Sequence, residues 1–179
     1  MRVISGEFGG RPIKVPGNLP VRPTTDRTRE ALFNHLYHTF TLEDAQVLDL
    51  FSGTGSIMLE FLSRGSAHVT AVDKHRNCIR ALRQHEKNFG LKGRITIHQQ
   101  DVFRFLALDT ATYDLIFADP PYDMPNQEHL VDLAINRLKE GGCFMLEHRS
   151  QFSFDHHPAY DNTRKYGSSS LSFFDPPTT

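Results

Sequence analysis

The tetrapeptide Asp119-Pro120-Pro121-Tyr122 is where chemistry is easiest to place in this chain. It follows Tyr113-Asp114-Leu115-Ile116-Phe117-Ala118, a short apolar run that reads as a buried strand. Two consecutive prolines fix the backbone and remove two N–H donors. What the segment presents is therefore acceptors: the Asp119 carboxylate and the carbonyls beside it. Tyr122 adds a flat ring and a hydroxyl. This combination suits an exocyclic amino group on a heterocyclic base. The lone pair of such an amine is delocalised into the ring, so it is a poor nucleophile. Accepting both of its N–H groups favours a pyramidal nitrogen whose lone pair can point at an electrophile. If the electrophile already carries a good leaving group, in-line positioning supplies much of the rate. Neither a metal nor a nucleophilic side chain is needed. Tyr122 would stack on a base swung out of its helix or loop. A rigid Pro-Pro turn without chemistry is the plain alternative, and it weakens once the upstream residues are considered.

Upstream, the run Leu48-Asp49-Leu50-Phe51-Ser52-Gly53-Thr54-Gly55-Ser56 ends a strand and enters a helix. Glycines at such a turn let backbone approach a ligand, and the helix start supplies free N–H groups. A dinucleotide fingerprint would need a third glycine at position 58, which is Met58. A nicotinamide cofactor is disfavoured accordingly. Asp49 inside the strand end repels a pyrophosphate and can hold an ammonium group, such as that of a methionine moiety. Asp73 ends the next apolar run, about 20 residues past the glycines, where an acid can accept both ribose hydroxyls. Lys74 follows it and is counted with the same group. Asp101 follows the third run and could accept from an adenine amino group, with Val102 and Phe103 walling the ring. Each acid alone reads as a loop or cap residue. Together they follow three successive strands, on the edge where open α/β sheets bind ligands. The set Asp49, Phe51, Ser52, Gly53, Thr54, Gly55, Asp73, Lys74, Asp101, Val102 and Phe103 thus fits S-adenosylmethionine, whose sulfonium carries the leaving group that the amine chemistry asks for.

These residues need a scaffold that brings strand ends together. From Gln46 onward strand-length apolar runs (46–50, 68–72, 94–98, 113–118, 142–147) alternate with helical segments (55–64, 77–89, 102–108, 127–139). That alternation predicts βαβ units and a parallel sheet. Runs 162–166 and 170–174, joined by Gly167-Ser168-Ser169, predict a closing antiparallel hairpin. The expected fold is α/β and Rossmann-like: a mostly parallel seven-stranded sheet with helices on both faces. Ahead of it, residues 2–5 and 11–15 read as a β-hairpin around Gly6, Gly9 and Gly10. Thr25 or Asp26 caps a helix running to about Thr39, with Ala31, Leu32, His35 and Leu36 on one face. We divide the chain into a 1–40 extension and a 41–179 catalytic domain, forming one compact unit.

Composition excludes several classes. No apolar stretch nears the length of a membrane span or signal peptide. Cys78 and Cys143 show no metal-ligand spacing and read as buried free thiols in a reducing compartment. The ten histidines form no ligand cluster, and no metal is expected. Net charge is −1, but it is unevenly spread: residues 1–29 carry six basic side chains against Glu7 and Asp26, and the remainder carries 14 basic and 19 acidic. A basic arm on an acidic body suggests an anionic partner at one end. An ordinary solvated surface is the bland alternative.

With those residues in place, D-x-F-x-G-x-G, Asp73, Asp101 and D-P-P-Y together resemble the class I amino-methyltransferases. Arg2-Val3-Ile4-Ser5-Gly6 through Gly10-Arg11, and Arg22-Pro23-Thr24-Thr25-Asp26-Arg27-Thr28-Arg29-Glu30, are similar to the bacterial small-subunit rRNA guanine-N2 methyltransferases of the RsmD type. Arg164-Lys165-Tyr166-Gly167 fits as well, and the resemblance covers nearly the whole chain. It implies S-adenosylmethionine as cofactor and Asp119 with Pro120 and Pro121 on the target amine. It also implies Tyr122 stacking and an RNA-binding arm of Arg2, Arg11, Arg22, Thr24, Arg27 and Arg29. Ribosomal RNA in a partly assembled small subunit is the implied partner, in the cytoplasm, with the protein a monomer. D-P-P-Y is shared with DNA adenine-N6 methyltransferases, which usually need a further target-recognition region. Protein glutamine methyltransferases typically have asparagine where Asp119 stands. A non-catalytic RNA-binding module is opposed by the intact Asp119, Tyr122 and cofactor loop.

Overall fold

The computed structural model describes residues 1–21 and 24–177. Its elements run α1 (Asp26–Thr39), β1 (Gln46–Leu50), α2 (Ser56–Ser63), β2 (His68–Asp73), α3 (Arg76–Asn88), β3 (Ile95–Gln99), α4 (Val102–Leu108), β4 (Tyr113–Ala118), α5 (Gln127–Ile135), β5 (Leu138–Arg149), β6 (Tyr160–Tyr166) and β7 (Ser169–Phe174). The strands form one seven-stranded sheet, in the order β3-β2-β1-β4-β5-β7-β6. The first five are parallel, and β7 inserts antiparallel between β5 and β6. Alternating side chains supply two cores, because successive residues of a strand face opposite sides. Val47, Val69, Leu115 and Met145 meet α1, α2 and α3 on one face. Leu48, Leu50, Ile116 and Leu146 meet α4 and α5 on the other. Among the described residues no helix is long and apolar enough to cross a membrane.

Several boundaries differ from the sequence reading. The 2–5 and 11–15 runs pair antiparallel over a short stretch: Arg2 and Pro12 form a bridge, Val3 N–H donates to the Arg11 carbonyl at 3.0 Å, Ile13 N–H to the Met1 carbonyl at 2.9 Å and Gly10 N–H to the Val3 carbonyl at 2.8 Å. Pro12 has no N–H to extend the pairing. The turn between the two runs is tied to α2. Ile4 and Ser5 donate their N–H groups to the two Glu60 carboxylate oxygens, at 2.9 and 3.1 Å. Glu7 N–H reaches the Ser63 carbonyl at 2.7 Å. Gly6 makes this approach possible: a Cβ there would lie 2.0 Å from the Ser63 carbonyl oxygen. Val3, Phe8 and Ile13 then join the same apolar cluster as α1 and the sheet.

The buried face of α1 is Thr28, Arg29, Leu32, Phe33 and Leu36, while Ala31 and His35 flank it half-buried. The Thr25 hydroxyl caps this helix by accepting Thr28 N–H at 3.2 Å. Farther on, α5 stops at Ile135 because its apolar stripe (Leu130, Val131, Ala134, Ile135) ends there, and Leu138 already pairs with Tyr113 in the sheet.

Arg29 was expected among the RNA contacts and is instead wholly buried. Its guanidinium lies 2.6 Å from Asp26 and 3.7 Å from Glu60, and donates to the Arg2 carbonyl at 2.8 Å. Glu60 also binds Arg64 at 2.9 Å. A buried charge stripped of its partner is expensive, so Glu60→Ala should destabilise the fold by about 3–5 kcal/mol. Chemical denaturation checks this; a loss below about 1 kcal/mol, the range of exposed pairs, would remove Glu60 from its role as anchor.

Candidate active site

The ends of the parallel strands open onto a cavity of about 400 Å³. That volume lies within the range of small-molecule sites. The β1-to-α2 turn forms its floor. Phe51 adopts φ 57° and Gly53 φ 52°, turning the chain sharply at the strand end. The Ser52 hydroxyl donates to the Asp49 carbonyl at 2.7 Å and accepts Val72 N–H at 3.1 Å, pinning the turn to β2. Asp73, ending β2, accepts Gly53 N–H and His75 N–H, both at 2.9 Å. A carboxylate offers about four acceptor positions, so these two bonds leave capacity for a ligand. Asp101 caps α4, accepting Arg104 N–H at 3.1 Å, with Val102 and Phe103 beside it on the cavity wall. Lys74, Ser52 and Thr54 line the cavity too.

Asp119 stands just past β4, half-buried, and accepts the Thr24 hydroxyl at 3.2 Å. Pro120, Pro121 and Tyr122 continue the same wall. The Arg149 guanidinium lies 5.4 Å from the Tyr122 ring centroid, covering one ring face. Burial first, then the facing Glu147 and Asp49 carboxylates, hold the Asp119 carboxyl well above its ordinary range, with the Thr24 hydrogen bond opposing them.

The cofactor and catalytic sets predicted from the sequence therefore share one cavity, with one exception. Gly55 does not line it. Its φ of 78° starts α2, and a Cβ there would lie 2.7 Å from the Leu82 side chain, so it serves close packing against α3. Thr24, expected on RNA, is buried against Asp119. Arg2, Arg11 and Arg27 are exposed away from the cavity. Arg11 packs over the Phe89 ring at 4.2 Å and donates to the Asn88 carbonyl at 2.7 Å. Arg22 lies outside the described residues. The sequence reading missed Glu147, Tyr166 and Ser169, which close the cavity from β5, β6 and β7. Glu147 carried a signal: a lone charge ending Cys143-Phe144-Met145-Leu146, a run otherwise apolar.

Cys78 lies buried beneath Asp73, and burial with that carboxylate's charge pushes its thiol up to about 12. Asp49 is buried, and its Oδ2 has no hydrogen-bond partner. Burial, reinforced by Asp73, raises its carboxyl from 3.8 to about 8. The folded protein thus holds this proton more tightly than the unfolded chain. Its contribution makes stability fall as pH rises from 3.8 through about 8. Asp49→Asn should melt above the parent at pH 8, by a margin that vanishes near pH 4. Identical melting profiles across that range would show that Asp49 carries no such penalty.

The family model described as Conserved hypothetical protein 95 matches residues 1–175. The chain is 37% identical over 144 residues to the Ribosomal RNA small subunit methyltransferase D of Escherichia coli, covering 79% of this chain and 68% of that protein. Among solved structures, yhhF from Escherichia coli superposes with a TM-score of 0.85 at 27% identity, covering 99% of each chain. A Thermus thermophilus 16S rRNA N2 methyltransferase (RsmC), solved with AdoMet and guanosine, gives a TM-score of 0.73 at 21% identity. It covers 89% of this chain and 45% of that one, and shares the fold. The chain belongs to the Conserved hypothetical protein 95 family and, within it, to the RsmD type of S-adenosylmethionine-dependent methyltransferases.

Proposed function

We propose that this chain transfers the methyl group of S-adenosylmethionine to the exocyclic N2 amine of a guanine in small-subunit ribosomal RNA. The observation that carries the reading is one cavity lined by Asp49 and Asp73 together with Asp119 and Tyr122. The residues fit the cofactor. The unpartnered Asp49 Oδ2 suits its ammonium, Asp73 keeps capacity for ribose hydroxyls, and Val102 with Phe103 forms an apolar wall for its adenine. Bound there, the cofactor supplies a methyl on a sulfonium, and the C–S electron pair leaves with the sulfur.

The rest is done by the chain. Asp119 accepts one N–H of the target amine, with Thr24 holding its other side. Pro120 and Pro121 offer no N–H that would compete for the amine's lone pair. Tyr122, backed on one face by Arg149, gives its other face to the base. The amine nitrogen gains the methyl and sheds one proton. Asp119, held above the ordinary carboxylate range, is a stronger base for that proton than an exposed acid. Exposed Arg2, Arg11 and Arg27 contact RNA phosphates in this reading, and Arg29 is withdrawn from that set. The substrate is rRNA in a partly assembled small subunit, and the protein acts as a cytoplasmic monomer.

Labelled methyl donor offered with separated rRNA, small subunits, DNA and protein tests the reading. Label in N2-methylguanosine of 16S rRNA supports it; label only in DNA or protein overturns it. Asp119→Ala should abolish single-turnover transfer and leave cofactor affinity nearly intact. In the parent enzyme the rate should rise with pH through the elevated Asp119 range, its acid limb lying above that of an ordinary carboxylate. A variant with normal transfer rate would sink the role of Asp119. Arg27→Ala should weaken RNA binding and reduce its salt slope by about 0.7. Filter binding across salt concentrations checks this, and an unchanged slope takes Arg27 off the RNA surface.

A further inference from the structure

We propose that Glu147 accepts the ring N1–H of the target base and thereby selects guanine over adenine. The inference rests on the methyl-transfer reading above and adds a specificity-determining residue to it.

Glu147 and Asp119 are brought side by side by strand register. In the parallel pair β4–β5, Phe117 aligns with Met145 and Ala118 with Leu146. One residue further, Asp119 leaves the end of β4 beside Glu147 of β5, near enough for the Glu147 charge to act on it. Parallel strands lie about 4.8 Å apart. Both residues step to the side of Phe117 and Met145, the face covered by α1. Both line the same cavity as Tyr122. Each carboxylate is steadied by a hydroxyl from a different part of the chain: Thr24 donates to Asp119 at 3.2 Å, and Ser169 donates to Glu147 Oε1 at 2.8 Å. The cavity wall thus offers two adjacent, oriented acceptors where one would hold an amine.

Guanine and adenine differ in what they bring to such a pair. Beside its N2 amine, guanine carries N1–H, a second donor. Beside its N6 amine, adenine carries N1 as a bare acceptor. Two neighbouring carboxylates match the guanine edge donor for acceptor. Against adenine they set a negative charge opposite a lone pair, a repulsive element of the kind that gives sites their discrimination. Burial and then the Glu147 charge raise the Asp119 carboxyl, and N–H donors entering between the pair ease both. The amine chemistry alone does not separate the two bases; this second acceptor does.

The test uses full-length protein, S-adenosylmethionine and an rRNA substrate with guanosine, 2-aminopurine riboside or adenosine at the target position. 2-Aminopurine keeps the N2 amine and lacks the N1 proton. Parent enzyme should methylate it in single turnover at least about tenfold more slowly than guanine, the worth of one hydrogen bond to a charged group. In Glu147→Gln, Ser169 continues to hold the side-chain oxygen, and the amide N–H₂ turns to the base as a donor. The guanine to 2-aminopurine rate ratio should then fall by at least about tenfold, with S-adenosylhomocysteine affinity unchanged. Equal parent rates on guanine and 2-aminopurine overturn the proposal without need of any variant. So does transfer to adenosine at the guanine rate, or a Glu147→Gln that slows both purines alike. Failure of the parent enzyme to methylate any guanine removes the reading beneath it, and is distinguished by the guanosine arm alone.

Discussion

Glu60 is a charged residue at the centre of an otherwise apolar helix, and it has no exposure to water. Its carboxylate receives Ile4 and Ser5 N–H on one side and Arg64 and Arg29 on the other. Three parts of the molecule are thereby tied together at α2: the N-terminal strap, the residue that ends the helix, and α1. Breaking a buried pair leaves an uncompensated charge, so the arrangement is all-or-none. The consequence reaches the cavity. Arg29 fixes α1, α1 begins at the Thr25 cap, and Thr24 immediately before it donates to Asp119. The Asp119 carboxylate is oriented by a residue 95 positions away whose own place depends on a buried ion pair.

A second constraint acts on the cavity itself. Asp49, Asp73, Asp119 and Glu147 all face one enclosed space, and burial works against charge on each side chain it isolates. The fold accommodates them by different means. Asp73 is stabilised by two backbone N–H groups, whereas Asp49 keeps its proton until about pH 8. Asp119 and Glu147 each take a hydroxyl. A cationic methyl donor and a base rich in N–H groups are the complementary charges.

Much of this was legible in the sequence. Parallel strands buried on both faces are written as short apolar runs, so β1 to β5 and the helices between them could be read directly. The acids at strand ends announced the cavity because the sheet's carboxyl edge is where such residues converge. What escaped depends on distant partners. Arg29 looks like a surface charge until Glu60, 31 residues on, is seen beneath it. Thr24 looks like part of a basic arm until Asp119 is placed beside it. Gly55 belongs to a glycine turn, yet its missing side chain serves Leu82. The strap of residues 2–13 keeps part of its strand pairing, but Pro12 and the pull of Glu60 on Ile4 and Ser5 cut the ladder short.

The Cys78 thiol beneath Asp73 has a bearing on chemical safety. A sulfonium methyl donor alkylates any good nucleophile, and a thiolate is far better at this than the amine of a base. Burial and the adjoining carboxylate keep Cys78 protonated at neutral pH. The same acid that lines the cavity therefore disarms the neighbouring sulfur. The protein can keep a concentrated electrophile within its walls without becoming its own target.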